Sequence, residues 1–301
     1  DWYMGNVMLS PYGWEAQALY LRRELERSRA SLAIEEFRNR DLPAQQPFND
    51  EAAYMAMAKA KMDELTAFLI DNDLVDDKAY FRDALANEVG AYTPPEARNF
   101  FDHGAALDPS PLYSHFYHWI ELAGRKHEPV KSPIRAAPPL YDMYDGRSEG
   151  MATAVEELFM QAGLYEGNPR SREIVWIMLA NRAARGLASL YVQSNEMTLD
   201  EAGKFHASWT PRKWSDAKSD LVGFEQLLYL RQPGYGTSYV TGKLELDRLI
   251  SNYAYEQEQK GETFSVPAFF RTLNASGVIP FSLIEEEMTT GEKLKTGPAS
   301  N

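Results

Sequence analysis

The strongest constraint on how this chain folds is the period at which its apolar residues return. In "WEAQALYLRRELERSRASLAIEEFRNR", Ala18, Leu21, Leu25, Leu32 and Phe37 recur at helical spacing with charged residues between them. Glu, Arg and Leu are also good helix formers, so local propensity and pattern agree. No segment shows the alternation of a half-buried strand, and no fixed repeat is present. The expected fold class is all-α: a bundle of long helices with proline-rich connecting loops.

Punctuation residues divide that pattern. Asn39 to Pro43 ends the first long helix, and Asp50 is placed to cap a second through "EAAYMAMAKAKMDELTAFLIDN". Shorter helices are expected across 78–90 and 94–103. Ser110 reads as an N-cap with Pro111 at the first helical position, placing "LYSHFYHWIELA" on a helix that ends at Gly124. "HEPVKSPIRAAPPLYD" holds too many prolines for a continuous helix and reads as a long loop. Helices resume at 149–164, 170–194, 198–207, 216–231 and 237–259, then near 266–274 and 280–287. Thr198 with Glu201 forms a capping-box signature. The tail, residues 292–301, reads as frayed. Residues 1–301 are expected to form a single helical region.

Composition narrows the function classes. A hydrophobic share of 44% with 25% charged residues is that of a soluble globular protein. No apolar run approaches the roughly 20 residues a spanning helix needs. A net charge of −13 argues against nucleic acid as a main partner. The absence of cysteine removes disulfides, thiolate nucleophiles and Cys-ligated metals, and leaves the compartment open. The opening "DWYMGNVMLSPYGW" has neither an initiator Met nor a basic-then-apolar leader, and a processed or truncated N-terminus is the expectation.

Four segments carry candidate chemistry. "SPLYSHFYHWIELAGRKH" holds three of the five histidines. His115, His118 and Glu121 are spaced so that a helix lines them along one side. Imidazole beside carboxylate suits proton transfer or metal ligation, although the spacing is not the His-Glu-x-x-His of zincins. Tyr113, Phe116, Tyr117 and Trp119 equally suit an aromatic core helix with satisfied histidines. In "YDGRSEGMATAVEELFMQAGL", Glu149 directly follows a turn and is the better candidate. Its bland role is a helix cap favoured by the dipole. Glu156 follows at i+7 with Glu157 beside it, so two carboxylates can lie along one face; the pair at 156–157 equally suits solvated surface. Gly150 and Ala152 there permit close approach by another element.

"PRSREIVWIMLANRAARGLASLY" sets Arg182 and Arg185 in an Ala-rich helix. A guanidinium fork suits a substrate carboxylate; pairing with Glu149 or Glu173 is the structural alternative. "YLRQPGYGTSYVTGKLELDRL" is not a phosphate loop, because its spacing is too long and Leu244 stands where Ser or Thr belongs. Its "PGYG" reads as a turn into a helix. There Tyr235 and Tyr239 offer phenol donors to a developing oxyanion, or pack with satisfied hydroxyls.

Taken in order, "RSEGMATAVEELFMQAGL", "PRSREIVWIMLANRAARGL", "YLRQPGYGTSYVTGK" and "GVIPFSLIEEEMTTG" resemble the DUF885 family, as does "LSPYGWEAQALYLRRELERSRASLAIEEFRNRDLP". The resemblance implies a metallopeptidase-like helical scaffold. Members are usually much longer, so the chain resembles their C-terminal half, and the N-terminal half is either absent or a second chain. Many members carry His-Glu…Gly-His followed by Glu-Gly-Trp-Ala and are regarded as zinc metallopeptidases. By that resemblance zinc is the implied cofactor, Glu149 a metal ligand with His115 or His118, and the reaction peptide or amide hydrolysis.

The sequence departs from that pattern. "HFYHWIELAGRKH" stands where the His-Glu…Gly-His region is expected, and Met151 stands where Trp is frequent. The expectation is therefore an altered or metal-free site. His115 and His118 act as acid or base there, Glu121 or Glu149 orients them, and Tyr239 stabilises negative charge. Arg182, Arg185 and Tyr235 bind a peptide or small-molecule substrate. Two alternatives stand beside it: a non-hydrolytic enzyme for a small aromatic or carboxylate substrate, and a non-catalytic binding protein on a degenerate scaffold.

Overall fold

A computed structural model describes residues 1–136 and 145–289. Among these the chain is helical and forms no strand. The first half holds α1 (Trp2–Asn6), α2 (Trp14–Arg38), α3 (Glu51–Asp71), α4 (Ala79–Ala86), α5 (Phe100–Leu107), α6 (Ser110–His115), α7 (Tyr117–His127) and α8 (Pro133–Ala136). The second holds α9 (Asp145–Gln161), α10 (Ser171–Gln193), α11 (Leu199–Trp209), α12 (Asp220–Arg231), α13 (Tyr235–Gln259), α14 (Val266–Ala275) and α15 (Phe281–Met288). No described helix is long and apolar enough to cross a membrane.

The middle of the bundle is α10, buried along almost its whole length from Ser171 to Leu190. Its alanines make close packing available on more than one side. Ala180, Ala183, Ala184 and Leu187 meet Ala18, Leu21 and Leu25 of α2 and Val240 of α13. Full burial of each leucine here contributes about 2 kcal/mol. A larger core joins α3, α6, α7, α9 and α14 through residues such as Leu65, Tyr113, Tyr117, Phe159 and Phe270. The second major pairing, α9 on α13, brings the Glu149 segment onto the helix that begins with Tyr235.

Capping follows the sequence signals in two places. The Asp50 side chain accepts from Ala53 N at 2.9 Å, and Thr198 with Glu201 completes the capping box. Elsewhere the structure corrects the reading. The helix expected from Ser110 to Gly124 is broken at Phe116, where Phe116 N donates to the Tyr113 carbonyl and Trp119 N to the Phe116 carbonyl, both at 2.9 Å. Tyr113 and Tyr117, on either side of this break, are both buried in the core. Ser110 is inside α6 rather than its cap, and its N–H is taken by Asp108.

Gly124 is interior to α7, which runs on to His127. Across 94–103 the structure has a 3-10 turn, Pro95–Ala97, and then α5, which is capped by Asn99 and continues to Leu107. The proline-rich loop contains α8; its residues 137–142, and the tail 292–301, lie outside the described residues.

Candidate active site

Four helices of the bundle converge on His115. It ends α6, and His118 lies in the first turn of α7; the tight turn at Phe116 keeps the two rings 5.1 Å apart, edge to face. Glu149 comes from α9. Among the described residues that helix runs from Asp145, so Glu149 lies inside it and is not the cap that its position after a turn suggested. Its Oε2 lies 3.2 Å from His115 Nε2. Tyr235 opens α13 after Gly234, whose φ of 90° is in the left-handed region that glycine enters at no steric cost. The Tyr235 hydroxyl donates to Glu149 Oε1 at 2.7 Å. One turn on, Tyr239 faces His115 with ring centroids 6.1 Å apart.

The electrostatics divide the roles. Burial raises the Glu149 carboxyl, but the hydrogen bond from His115, the two nearby imidazoles and the Tyr235 hydroxyl outweigh it and hold the group down at about 2. The carboxylate is charged at neutral pH although its side chain is only 14% exposed. Burial, helped by the neighbouring His115, lowers His118 to about 4, so its imidazole is neutral with a lone pair available. Burial pushes the Tyr239 phenol up to about 12, and Tyr235 is raised still more strongly by burial and the Glu149 charge. Both phenols remain donors.

The remaining candidates are placed differently. Glu121 turns away from the histidines and pairs with Arg147 of α9, a buried couple that sequence reasoning did not find. Arg182 pairs with Glu156 at 2.5 Å, and Arg185 with Glu225 of α12. Their partners are thus neither Glu149 nor Glu173; Glu173 takes Arg170 and Arg212 instead. Arg185 also lies over the Tyr239 ring, 4.4 Å from its centroid. Glu156 is not solvated surface: its side chain is 1% exposed, and its Oε1 stands 2.8 Å from His115 Nδ1. Its spacing of two helical turns from Glu149 was a signal that both share one face. Glu225 left no local signal at all.

The donor set fits a divalent metal. One atom each from His115, His118 and Glu149 all lie within 4.8 Å of one another. Two ligands at about 2.0 Å from a tetrahedral ion stand about 3.3 Å apart, close to the 3.2 Å between His115 Nε2 and Glu149 Oε2. His118 Nδ1 is buried with no hydrogen-bond partner. Two imidazoles and a carboxylate with a further position open is a familiar zinc arrangement.

A family model described as a bacterial protein of unknown function (DUF885) matches residues 134–288, which carry Glu149, Glu156, Arg182, Arg185, Tyr235 and Tyr239. The chain belongs to the DUF885 family. Among solved structures, this DUF885 chain is similar to one described as "the putative lipoprotein from Colwellia psychrerythraea", with a TM-score of 0.64 and 14% identity. That likeness shows the fold alone. It covers 95% of this chain and 53% of the other, so the chain spans about half the length of that protein. No curated protein matches it.

Proposed function

We propose that this DUF885 chain carries a hydrolytic site for peptide or amide bonds, built on His115, His118 and Glu149. The observation that carries the reading is the meeting of these three side chains, from α6, α7 and α9, within 4.8 Å in a largely buried setting. Burial keeps His118 neutral; His115 and His118 chiefly, with the hydrogen bond from Tyr235, keep Glu149 ionised, and the Tyr235 hydroxyl orients it. The same three residues would hold a divalent metal such as zinc, which supplies Lewis-acid polarisation of a carbonyl and an acidified water. Tyr239, a protonated phenol beside His115, is the donor placed for negative charge developing on the carbonyl oxygen. Arg182 and Arg185 support the site through Glu156 and Glu225; substrate recognition falls to side chains with exposed surface, such as Trp119 beside His118.

One contact favours a second reading. Arg182 Nη2 lies 3.2 Å from His115 Nδ1, and a guanidinium only donates, so this contact requires the imidazole proton on Nε2, facing Glu149. His115 and Glu149 then form a metal-free acid–base pair.

Metal analysis of the chain purified without chelator separates the two, together with hydrolysis of a mixed peptide and amide panel before and after chelation. The metal form is expected to show one metal per chain, lost in His115→Ala and Glu149→Ala, with activity abolished by chelation. Activity that survives chelation supports the acid–base pair. A folded chain that takes up no zinc and cleaves nothing overturns the hydrolytic reading in favour of a binding protein.

A further inference from the structure

Behind His115, on the side away from Glu149, two buried groups of opposite charge meet Nδ1. Glu156 Oε1 lies 2.8 Å from it and Arg182 Nη2 3.2 Å. The two side chains are 1% and 3% exposed and are joined to each other at 2.5 Å through Glu156 Oε2. A carboxylate only accepts and a guanidinium only donates. With the ring proton on Nε2, Nδ1 accepts from Arg182, and Glu156 Oε1 is left buried with no hydrogen bond. A buried carboxylate oxygen without a donor is costly, and more so in a low-dielectric interior. With the ring proton on Nδ1, that oxygen is satisfied at 2.8 Å and Arg182 keeps its bond to Glu156 but gives up the ring nitrogen. The Nε2 lone pair then faces Glu149 Oε2 at 3.2 Å, two acceptors that a cation between them satisfies.

We propose that Glu156, held in place by Arg182, is the positioning residue that draws the His115 proton to Nδ1 and so leaves Nε2 to ligate a divalent metal with Glu149 and His118. The inference rests on the metal-holding reading above. It also gives a use to the spacing on α9, where Glu149 and Glu156 stand two turns apart on one face. One helix thereby supplies a ligand on one side of the ring and the group orienting the ring on the other. Metal-binding histidines commonly hand their second N–H to a carboxylate in this way, which fixes the tautomer and strengthens the ligand.

Imidazole nitrogen-15 spectra of the full chain, with and without added Zn2+, test this directly. In the zinc-saturated protein His115 is expected to carry its proton on Nδ1. A proton on Nε2, with ligation through Nδ1, overturns the proposal. In competition with a chromophoric chelator, Glu156→Gln is expected to weaken Zn2+ binding by about 10–100-fold, and Glu156→Asp to recover part of the loss, with the circular dichroism of both unchanged. Binding by Glu156→Gln within about twofold of the parent is the contrary result.

Should Glu156→Gln fail to fold, the spectrum of the parent protein decides alone. Failure of the underlying reading looks different: His115→Ala and Glu149→Ala would then bind Zn2+ as the parent does. Loss in those two variants with no loss in Glu156→Gln sinks only the positioning role.

Discussion

Gly150 of α9 and Gly242 of α13 meet backbone to backbone where the two helices cross. A methyl group on Gly150 would run into the Gly242 backbone and stand 2.9 Å from Lys243 N; one on Gly242 would meet the carbonyl of Gly146. This approach is what lets Tyr235 at the head of α13 reach Glu149, next to Gly150. At an ordinary helix position alanine is more favourable than glycine by about 1 kcal/mol. Here Gly150→Ala is expected to cost about 2–3 kcal/mol in urea unfolding, the range for overpacking. A stabilised variant would show that the helices are not in contact at this crossing.

Tyr235→Phe isolates the hydroxyl on Glu149. The hydrogen bond favours the charged carboxylate, so its loss moves the Glu149 carboxyl upward from about 2 toward its ordinary value of 4.5. A carboxyl depressed in the folded state contributes stability that is present above 4.5 and lost as pH falls toward 2. The variant is therefore expected to be about 1–2 kcal/mol less stable at pH 7. In denaturant titrations from pH 7 to 3, its gap to the parent should narrow as pH falls below 4.5. A constant gap would place the effect in packing and leave the hydrogen bond without a role.

The bundle was legible because periodicity and propensity agree along α2 and α13, and because α10 is rich in alanine and other apolar residues that suit burial on every side. The break at Phe116 was not, since each residue of "HFYHW" is compatible with continuous helix. The meeting of His115 with His118 follows from their short separation on adjoining helices. Their meeting with Glu149 is a contact between distant segments, and family resemblance rather than pattern pointed to it. Arg147 and Glu225 show where pattern ends: a charged residue on a helix looks solvated until the tertiary structure covers it.

Arg185 separates a structural cation from a substrate clamp. Its guanidinium is buried, paired with Glu225 and set over Tyr239. Arg185→Met removes the cation that offsets burial at Glu225, whose carboxyl burial already holds above its ordinary range, and leaves that buried acid without its partner. This is expected to cost about 3–5 kcal/mol, and Arg185→Met combined with Glu225→Met should regain most of it. Equilibrium unfolding of the parent, both single variants and the double variant measures the coupling. If Arg185→Met instead leaves stability within about 0.5 kcal/mol of the parent and raises KM for an acidic substrate, the residue holds substrate after all.

Glu245 on α13 gives the fold an alkaline weakness. The residue is buried, and burial, only partly offset by Arg248 and reinforced by the charge of Glu285, pushes its carboxyl up from 4.5 to about 8. Glu285 itself takes Arg248 at 2.8 Å and Asn252 at 2.6 Å, so the local cation is already engaged. Between 4.5 and about 8 the folded chain keeps a proton that the unfolded chain has released, so this group's contribution is complete below 4.5 and is lost as pH rises through 8. Glu245→Gln keeps the shape and removes the titration. Its unfolding free energy is expected to match the parent's near pH 4 and to exceed it increasingly as pH rises toward 8.5, by up to about 5 kcal/mol. Urea unfolding curves across that range check the prediction, and parallel profiles for the two proteins would refute it.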